Sequence, residues 1–153
     1  MSFRLLSITV SLFVFSCSRT PPGPDAAANA AYLEKAAAEP GAVKTASGLV
    51  FRELRPGSGA GPHRTSKVKV NYRGTLVDGT EFDSSYKRGQ PAEFGLDQVV
   101  PCWTEGVQRM HPGGKAQLVC PSKIAYGDAG SPPTIPPGAT LIFEIELLEI
   151  TVP

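Results

Sequence analysis

Apolar and polar residues alternate in several short runs of this chain. Val68, Val70 and Tyr72 alternate with Lys67, Lys69, Asn71 and Arg73; this period of two sends successive side chains to opposite faces of a strand and leaves one face dry. Ala116, Leu118 and Cys120 alternate in the same way with Lys115, Gln117 and Val119, and Leu141, Phe143, Ile145 and Leu147 with Ile142, Glu144 and Glu146. Leu49 to Leu54 is a further strand candidate. Phe82-Asp83 leads a return strand after Val77-Asp78-Gly79-Thr80, whose Asp-Gly pair suits a hairpin turn. One segment breaks the rhythm. Trp103, Val107 and Met110 fall at i, i+4 and i+7, which predicts a short amphipathic helix from Trp103 to Met110, ended by His111-Pro112-Gly113-Gly114. One such helix among about five antiparallel strands is buried most simply by a sheet that curls around it, an α+β arrangement.

The N-terminal part follows other rules. Arg4 precedes an apolar stretch from Leu5 to Phe15, too short for a membrane-spanning helix and suited to an export signal. Val14-Phe15-Ser16-Cys17 resembles the bacterial lipobox, whose cysteine is lipidated and becomes the mature N-terminus. Residues 1–16 then read as a lipoprotein signal peptide and Cys17 as the lipidation site; an ordinary secretory signal or a short hydrophobic anchor with an incidental cysteine is the alternative. Such a protein would be lipid-anchored in the bacterial cell envelope, facing the periplasm. Ser18, standing where an aspartate favours the inner membrane, leans the placement toward the outer one. Residues 17–25 read as a tether, since Ser18 to Pro24 has nothing to bury. Asp25 is placed to cap an alanine-rich helix from Ala26 to Glu39, stopped by Pro40-Gly41. Tyr32 and Leu33 are its only large apolar side chains, a stripe too narrow for the helix to stand alone. Packing on the domain, pairing with a second copy and fraying are the outcomes open to it, in that order. Residues 26–46 are therefore helix and linker, and 47–153 the main domain.

Composition narrows the chemistry. The 153 residues carry 15 basic and 14 acidic side chains, a net charge of +1 that offers no field for nucleic acid. The 16 glycines and 15 prolines favour short strands and turns over a helical bundle. With two histidines, three cysteines and no C-x-x-C or H-E-x-x-H, the sequence lacks the parts of common zinc, triad and thiol-redox sites, and it implies neither metal nor cofactor. The glycines of Gly57-Ser58-Gly59-Ala60-Gly61 do not make a phosphate loop, because Pro62 sits where the helix would begin. If Cys17 is acylated, Cys102 and Cys120 are left as an even pair that an oxidising compartment would allow to join; two small buried thiols are the alternative.

Taken together, Val70-Asn71-Tyr72-Arg73-Gly74, Asp78-Gly79 with Phe82-Asp83-Ser84-Ser85, Val99 to Val107, Ala125-Tyr126-Gly127 and Ile135-Pro136-Pro137 through Leu148 resemble, in order, the FK506-binding-protein class of peptidyl-prolyl cis-trans isomerases. Phe94 to Trp103 is most similar to the bacterial macrophage-infectivity-potentiator-like branch. The resemblance, from about Ser47 to Val152, implies a five-stranded antiparallel sheet wrapped around the short helix.

It also implies a site. Trp103 would floor a pocket walled by Tyr72, Phe82, Val99, Val100, Tyr126, Ile135 and Phe143, with Asp83 as its carboxylate and Arg88 as the base paired to it. Asp83, Tyr126, Phe143 and Trp103 would carry catalysis. Without the family, Tyr72, Phe82, Trp103 and Phe143 read equally as core aromatics and Asp83 as a turn residue. Ala92 and Cys102 depart from residues usual in the family, and Pro133 and Thr134 alter the loop over the pocket, which bears on substrate preference and drug affinity. The implied activity is acceleration of X-Pro rotation in exported proteins without a covalent intermediate; a non-catalytic periplasmic peptide-binding chaperone is the alternative. Proline-containing polypeptides would be clients and macrolides of the FK506 and rapamycin type inhibitors. The short N-terminal helix favours a monomer.

Overall fold

A computed structural model describes residues 24–153. The run from Leu5 to Phe15, Cys17 and the tether up to Gly23 lie outside the described residues. The elements in chain order are α1 (Pro24–Ala37), β1 (Ala42–Lys44), β2 (Val50–Arg55), β3 (Lys67–Leu76), β4 (Glu81–Ser84), α2 (Ser85–Arg88), β5 (Ala92–Gly95), α3 (Pro101–Val107), β6 (Lys115–Cys120) and β7 (Leu141–Val152). A single turn of 3-10 helix, Ser122–Ile124, follows β6.

All the strands pair antiparallel in one sheet of seven, in the order β1-β2-β6-β7-β3-β4, with β5 also on β3. The expected count of five is thus corrected to seven. The two additional strands, β1 and β5, have only three and four residues, too few for a period of two to stand out. The sheet does curl around α3. That helix starts two residues before Trp103, with Pro101 in its first turn, where the missing N–H costs nothing. It ends at Val107, and Met110 is buried just beyond it.

Strict alternation divides the core in two. Leu49 and Phe51, Leu118 and Cys120, and Leu141, Phe143 and Ile145 point inward to pack with Cys102, Trp103 and Val107 of α3. Their neighbours Val50, Val119 and Ile142 point to the opposite face, where Tyr32, Leu33 and Ala36 of α1 cover them. Register places these three side by side, Val50 opposite Val119 and Val119 opposite Ile142. The N-terminal helix therefore packs on the domain. It begins at Pro24, so Asp25 lies inside its first turn rather than before it, favourably placed against the helix dipole. Residues 42–44, expected as linker, add an edge strand to the same sheet.

Cys102, at the start of α3, and Cys120, at the end of β6, are joined by a disulfide with Cα atoms 5.9 Å apart. Both are fully buried. Alongside them Gly106 brings α3 down onto β6: a Cβ there would lie 2.2 Å from Leu118 Cδ2.

Candidate active site

The pocket lies beside a gap in the pairing along one edge of β3. One edge of this strand pairs with β7 along its length; the other pairs with β5 from Lys67 to Val70 and with β4 from Arg73 to Thr75. Tyr72 falls between the two. Its backbone N–H, which has no strand partner on that side, donates to the hydroxyl of buried Ser85 at 2.9 Å. Leaving that donor without an acceptor would cost about 1–3 kcal/mol. The chain between β4 and β5 makes the single turn α2. Ser84 Oγ accepts from Lys87 N, and Gly89 closes the turn at φ 74, a backbone angle that favours glycine. This turn carries Arg88 back over the Tyr72 ring, its guanidinium carbon 5.4 Å from the ring centroid.

Three polar groups close on one another there. Tyr72 Oη donates to Asp83 Oδ2 at 2.5 Å, Arg88 Nη1 donates to Asp83 Oδ1 at 2.5 Å, and Arg88 Nη2 donates to Tyr72 Oη at 2.8 Å. Asp83 Oδ1 also accepts from Ser84 N at 2.9 Å. Burial pushes the Asp83 carboxyl up, but hydrogen bonds from Tyr72 and Arg88 and the guanidinium charge outweigh it, so the group lies below the ordinary aspartate value. Burial, and then the bond to Asp83, hold the Tyr72 phenol above its ordinary value.

Next to this cluster lies a cavity of about 490 Å³. It is lined by Tyr72, Phe82, Asp83, Phe94, Gln98, Val99, Val100, Trp103, Tyr126 and Phe143. The Trp103 indole meets Tyr72, Phe94 and Phe143 edge to face, at centroid distances of 5.1, 5.4 and 5.4 Å. Phe82 stands edge to face on Phe143 at 5.6 Å. Such quadrupole-matched contacts hold aromatic rings at fixed angles. Gly74 makes room for the last pair, because a Cβ there would lie 2.6 Å from Phe82 Cζ and 3.0 Å from Phe143 Cε1. Opposite these rings, Leu96 is fully buried and its N–H donates to Ser66 O, which fixes the chain just before Val99 and Val100 reach the rim. Tyr126 follows the 3-10 turn and stands at the mouth, 43% exposed.

Of the residues expected in the site, Tyr72, Phe82, Asp83, Val99, Val100, Trp103, Tyr126 and Phe143 line the cavity, and Arg88 pairs with Asp83. Ile135 does not. It is 5% exposed in the same core cluster as Trp103 and Phe143, and its backbone is bridged to Ser131. Phe94 and Gln98 belong to the lining and were not expected there. The signal for Phe94 was its place two residues after Ala92, a strand period hidden by the brevity of β5; Gln98 carries no pattern of its own.

The arrangement is a largely aromatic bowl with one acid, and that acid is fully engaged. Both Asp83 oxygens carry donors, so no free base faces the cavity. Among the described residues no three His, Cys, Asp or Glu side chains gather as a metal site. The bowl can hold a compact apolar ring and bias a dipole; it is not equipped to accept a proton or attack a carbonyl.

Comparison with known proteins places this geometry. The sequence model of the FKBP-type peptidyl-prolyl cis-trans isomerases matches residues 59–148. FKBP-type peptidyl-prolyl cis-trans isomerase FkpA of Escherichia coli is 49% identical over 130 residues, which are 82% of this chain and 48% of that protein. Peptidyl-prolyl cis-trans isomerase Mip of Coxiella burnetii is 42% identical over 120 residues, 78% of this chain and 52% of that one. The chain thus spans about half the length of these curated relatives. Among solved structures, the crystal structure of E. coli FkpA superposes with a TM-score of 0.81 at 47% identity, over 84% of this chain and 60% of that one. A peptidyl-prolyl cis-trans isomerase from Pseudomonas syringae pv. tomato gives a TM-score of 0.77 at 40% identity, over 82% of this chain and 92% of that one. With a family match across most of the chain and relatives at this identity, the chain belongs to the FKBP-type peptidyl-prolyl cis-trans isomerase family.

Proposed function

We propose that this protein is a peptidyl-prolyl cis-trans isomerase that turns X-Pro bonds by solvating the twisted imide in its aromatic bowl. The observation that carries the reading is a cavity floored by Trp103 whose single carboxylate is already bonded to Tyr72, Arg88 and Ser84 N. Rotation about an amide bond faces a barrier of about 18–20 kcal/mol because it breaks C–N resonance, so an X-Pro bond turns over in tens to hundreds of seconds. Shortening about 100 s to about 10 ms takes four decades, or about 5.4 kcal/mol of preferential stabilisation of the transition state.

No bond to the enzyme is required for that. The planar amide is charge-separated and favoured by water, while the twisted amide is less dipolar, so a site without water disfavours the ground state more. The proline ring would lie on the Trp103 indole between Phe82, Phe143 and Tyr72. Donors at the rim, the Tyr126 hydroxyl and the backbone of Val99-Val100, would hold the flanking carbonyls and so fix the twist. Asp83 keeps Tyr72 and Arg88 in place and orients the substrate; it transfers no proton.

The clients would be proline-containing polypeptides crossing the bacterial envelope, and macrolides of the FK506 and rapamycin type would compete with them. What supports export and a lipid on Cys17 is the sequence from Arg4 to Ser18, with outer-membrane placement resting on Ser18 alone. Residues 1–16 would be removed, and the tether expected over 17–25 would be shortened by α1, which begins at Pro24. The oxidised Cys102–Cys120 pair suits an oxidising compartment. A monomer is supported by α1, whose apolar face is covered by its own sheet. The test is the rate of cis-to-trans conversion of a proline tetrapeptide, which the protein should raise by orders of magnitude and a macrolide should suppress. A rate equal to the uncatalysed one, with peptide still binding in the bowl, would favour a holding chaperone. Radiolabelled palmitate entering the wild type but not Cys17→Ser checks the anchor.

A further inference from the structure

One contact joins the two ends of the described chain. Asn29 lies on the face of α1 that also carries Tyr32, Leu33 and Ala36, one turn before them, where β7 is entered. Its side chain is polar and half-buried where theirs are apolar. The carboxamide holds two backbone groups more than a hundred residues away: Nδ2 donates to Gly138 O at 3.4 Å, and Thr140 N donates to Oδ1 at 3.0 Å. An amide side chain is suited to this because it offers a donor and an acceptor side by side.

The gripped segment leads to the pocket. Gly138 N donates to Gly127 O at 3.1 Å, and Gly127 N donates to Ser122 O at 2.8 Å. Gly127 directly follows Tyr126, the wall residue at the mouth, and Thr140 precedes β7, which carries Phe143. Tyr126 is 43% exposed, so packing alone does little to fix it, and its position depends on the backbone that bears it. Asn29 is outside residues 59–148, the part of the chain that the family's sequence model describes.

We propose that Asn29 is a positioning residue for the pocket mouth, through which the docked N-terminal helix sets the loop from Gly127 to Gly138 and with it Tyr126. The helix is then a working part of the binding site rather than a spacer. Substrate affinity responds to how α1 sits on the sheet. The role is exerted at the rim, through Tyr126, while Trp103 and Phe82 of the floor stand on elements that Asn29 does not touch.

The inference rests on the isomerase reading for its kinetic arm only, and hydrogen exchange tests it separately. In Asn29→Ala, amide exchange across 127–140 should accelerate at least tenfold while amides of β3 and β6 keep their protection. Because Tyr126 is also a rim donor, kcat/KM for a proline tetrapeptide should fall about threefold to tenfold, and Kd for a macrolide should rise by a similar factor. Asn29→Asp keeps the acceptor for Thr140 N and loses the donor to Gly138 O, and should fall between the two. Leu33→Ala, which loosens α1 without touching Asn29, should give the same direction of change. Overturning results are a lowered melting temperature in Asn29→Ala with 127–140 exchange and binding unchanged, or accelerated exchange with kcat/KM and macrolide Kd both at wild-type values. If Asn29→Ala fails to fold, Asn29→Asp with wild-type exchange and macrolide Kd rejects the proposal, and a rise in both supports it. Accelerated exchange in a protein without isomerase activity would uphold the coupling and reject the isomerase reading alone.

Discussion

Tyr72 Oη donates to Asp83 Oδ2 at 2.5 Å and at the same time accepts from Arg88 at 2.8 Å. The phenol therefore joins the acid and the base that flank it, and the three side chains form one closed unit at the edge of the bowl. A carboxylate held this way is an architectural part of the pocket, since its oxygens are engaged before any substrate arrives.

Replacing Asp83 with Leu should lower kcat/KM by about tenfold and leave measurable catalysis. Loss of a hydrogen bond to a charged group is worth about 1.5 kcal/mol, close to one decade. Tyr72 and Arg88 would lose their common partner, but the aromatic floor would remain. A chymotrypsin-free proline peptide assay, with near-UV circular dichroism as the control for fold, checks it. Complete abolition in a folded, peptide-binding variant would mean that Asp83 moves a proton after all.

The pH dependence follows from the same cluster. Asp83 lies below its ordinary value because the Tyr72 and Arg88 bonds outweigh its burial. A depressed carboxyl stabilises the fold fully above its unfolded value and loses that contribution as pH falls through the folded one. Tyr72 is raised, chiefly by burial, so its contribution is complete below the unfolded phenol value and is lost only as pH rises through a more alkaline one. Turnover and melting temperature should therefore be flat from about pH 6 to 9 on account of this cluster, with any loss beginning in the acid carboxylate range. A bell-shaped rate profile centred near neutrality would contradict this.

How much of this was legible in the sequence depends on the range of the signal. The alternation of Val68, Val70 and Tyr72 and of Leu141, Phe143 and Ile145 located two central strands, and Trp103 with Val107 located the helix they enclose. Val119 and Ile142 stood as apolar residues on otherwise polar faces; with Val50 they are the footprint of α1, but only pairing across strands brings the three together. The Asp83–Arg88 pair followed from the resemblance, whereas the Arg88 bond to Tyr72 depends on the turn closed by Gly89. Phe94 was hidden in a strand of four residues, and Ile135, expected in the wall, is buried in the core beside the lining residues without lining the cavity itself.

Removing the disulfide should destabilise the protein while sparing its chemistry. Cys102 and Cys120 close a loop 18 residues apart in sequence, for which chain entropy predicts a loss of about 3 kcal/mol. The Cys102→Ala, Cys120→Ala double variant should show at least this deficit in urea unfolding, and kcat/KM at 15 °C within a few-fold of wild type. Because both cysteines are fully buried, a thiol reagent added with reductant should label them only in denaturant. Rapid labelling under native conditions would show that the pair opens without unfolding.

Gly106 sets how closely the floor of the pocket lies on the sheet. An added methyl would stand 2.2 Å from Leu118 Cδ2, and Leu118 is fully buried. Alanine would favour the helix by about 1 kcal/mol, but overpacking costs about 1–3 kcal/mol, so Gly106→Ala should lose up to about 2 kcal/mol net. The helix can relieve the clash only by lifting, and Trp103 lifts with it into the cavity. Peptide affinity should then fall more than stability alone would suggest. Leu118→Ala alone should cost about 2–5 kcal/mol through its cavity. In the double variant the new methyl occupies part of that cavity, so the two losses should combine to less than their sum by more than about 0.5 kcal/mol. Additive losses in a urea-unfolding cycle would mean that α3 does not rest on Leu118 in solution, and that the depth of the bowl is set elsewhere.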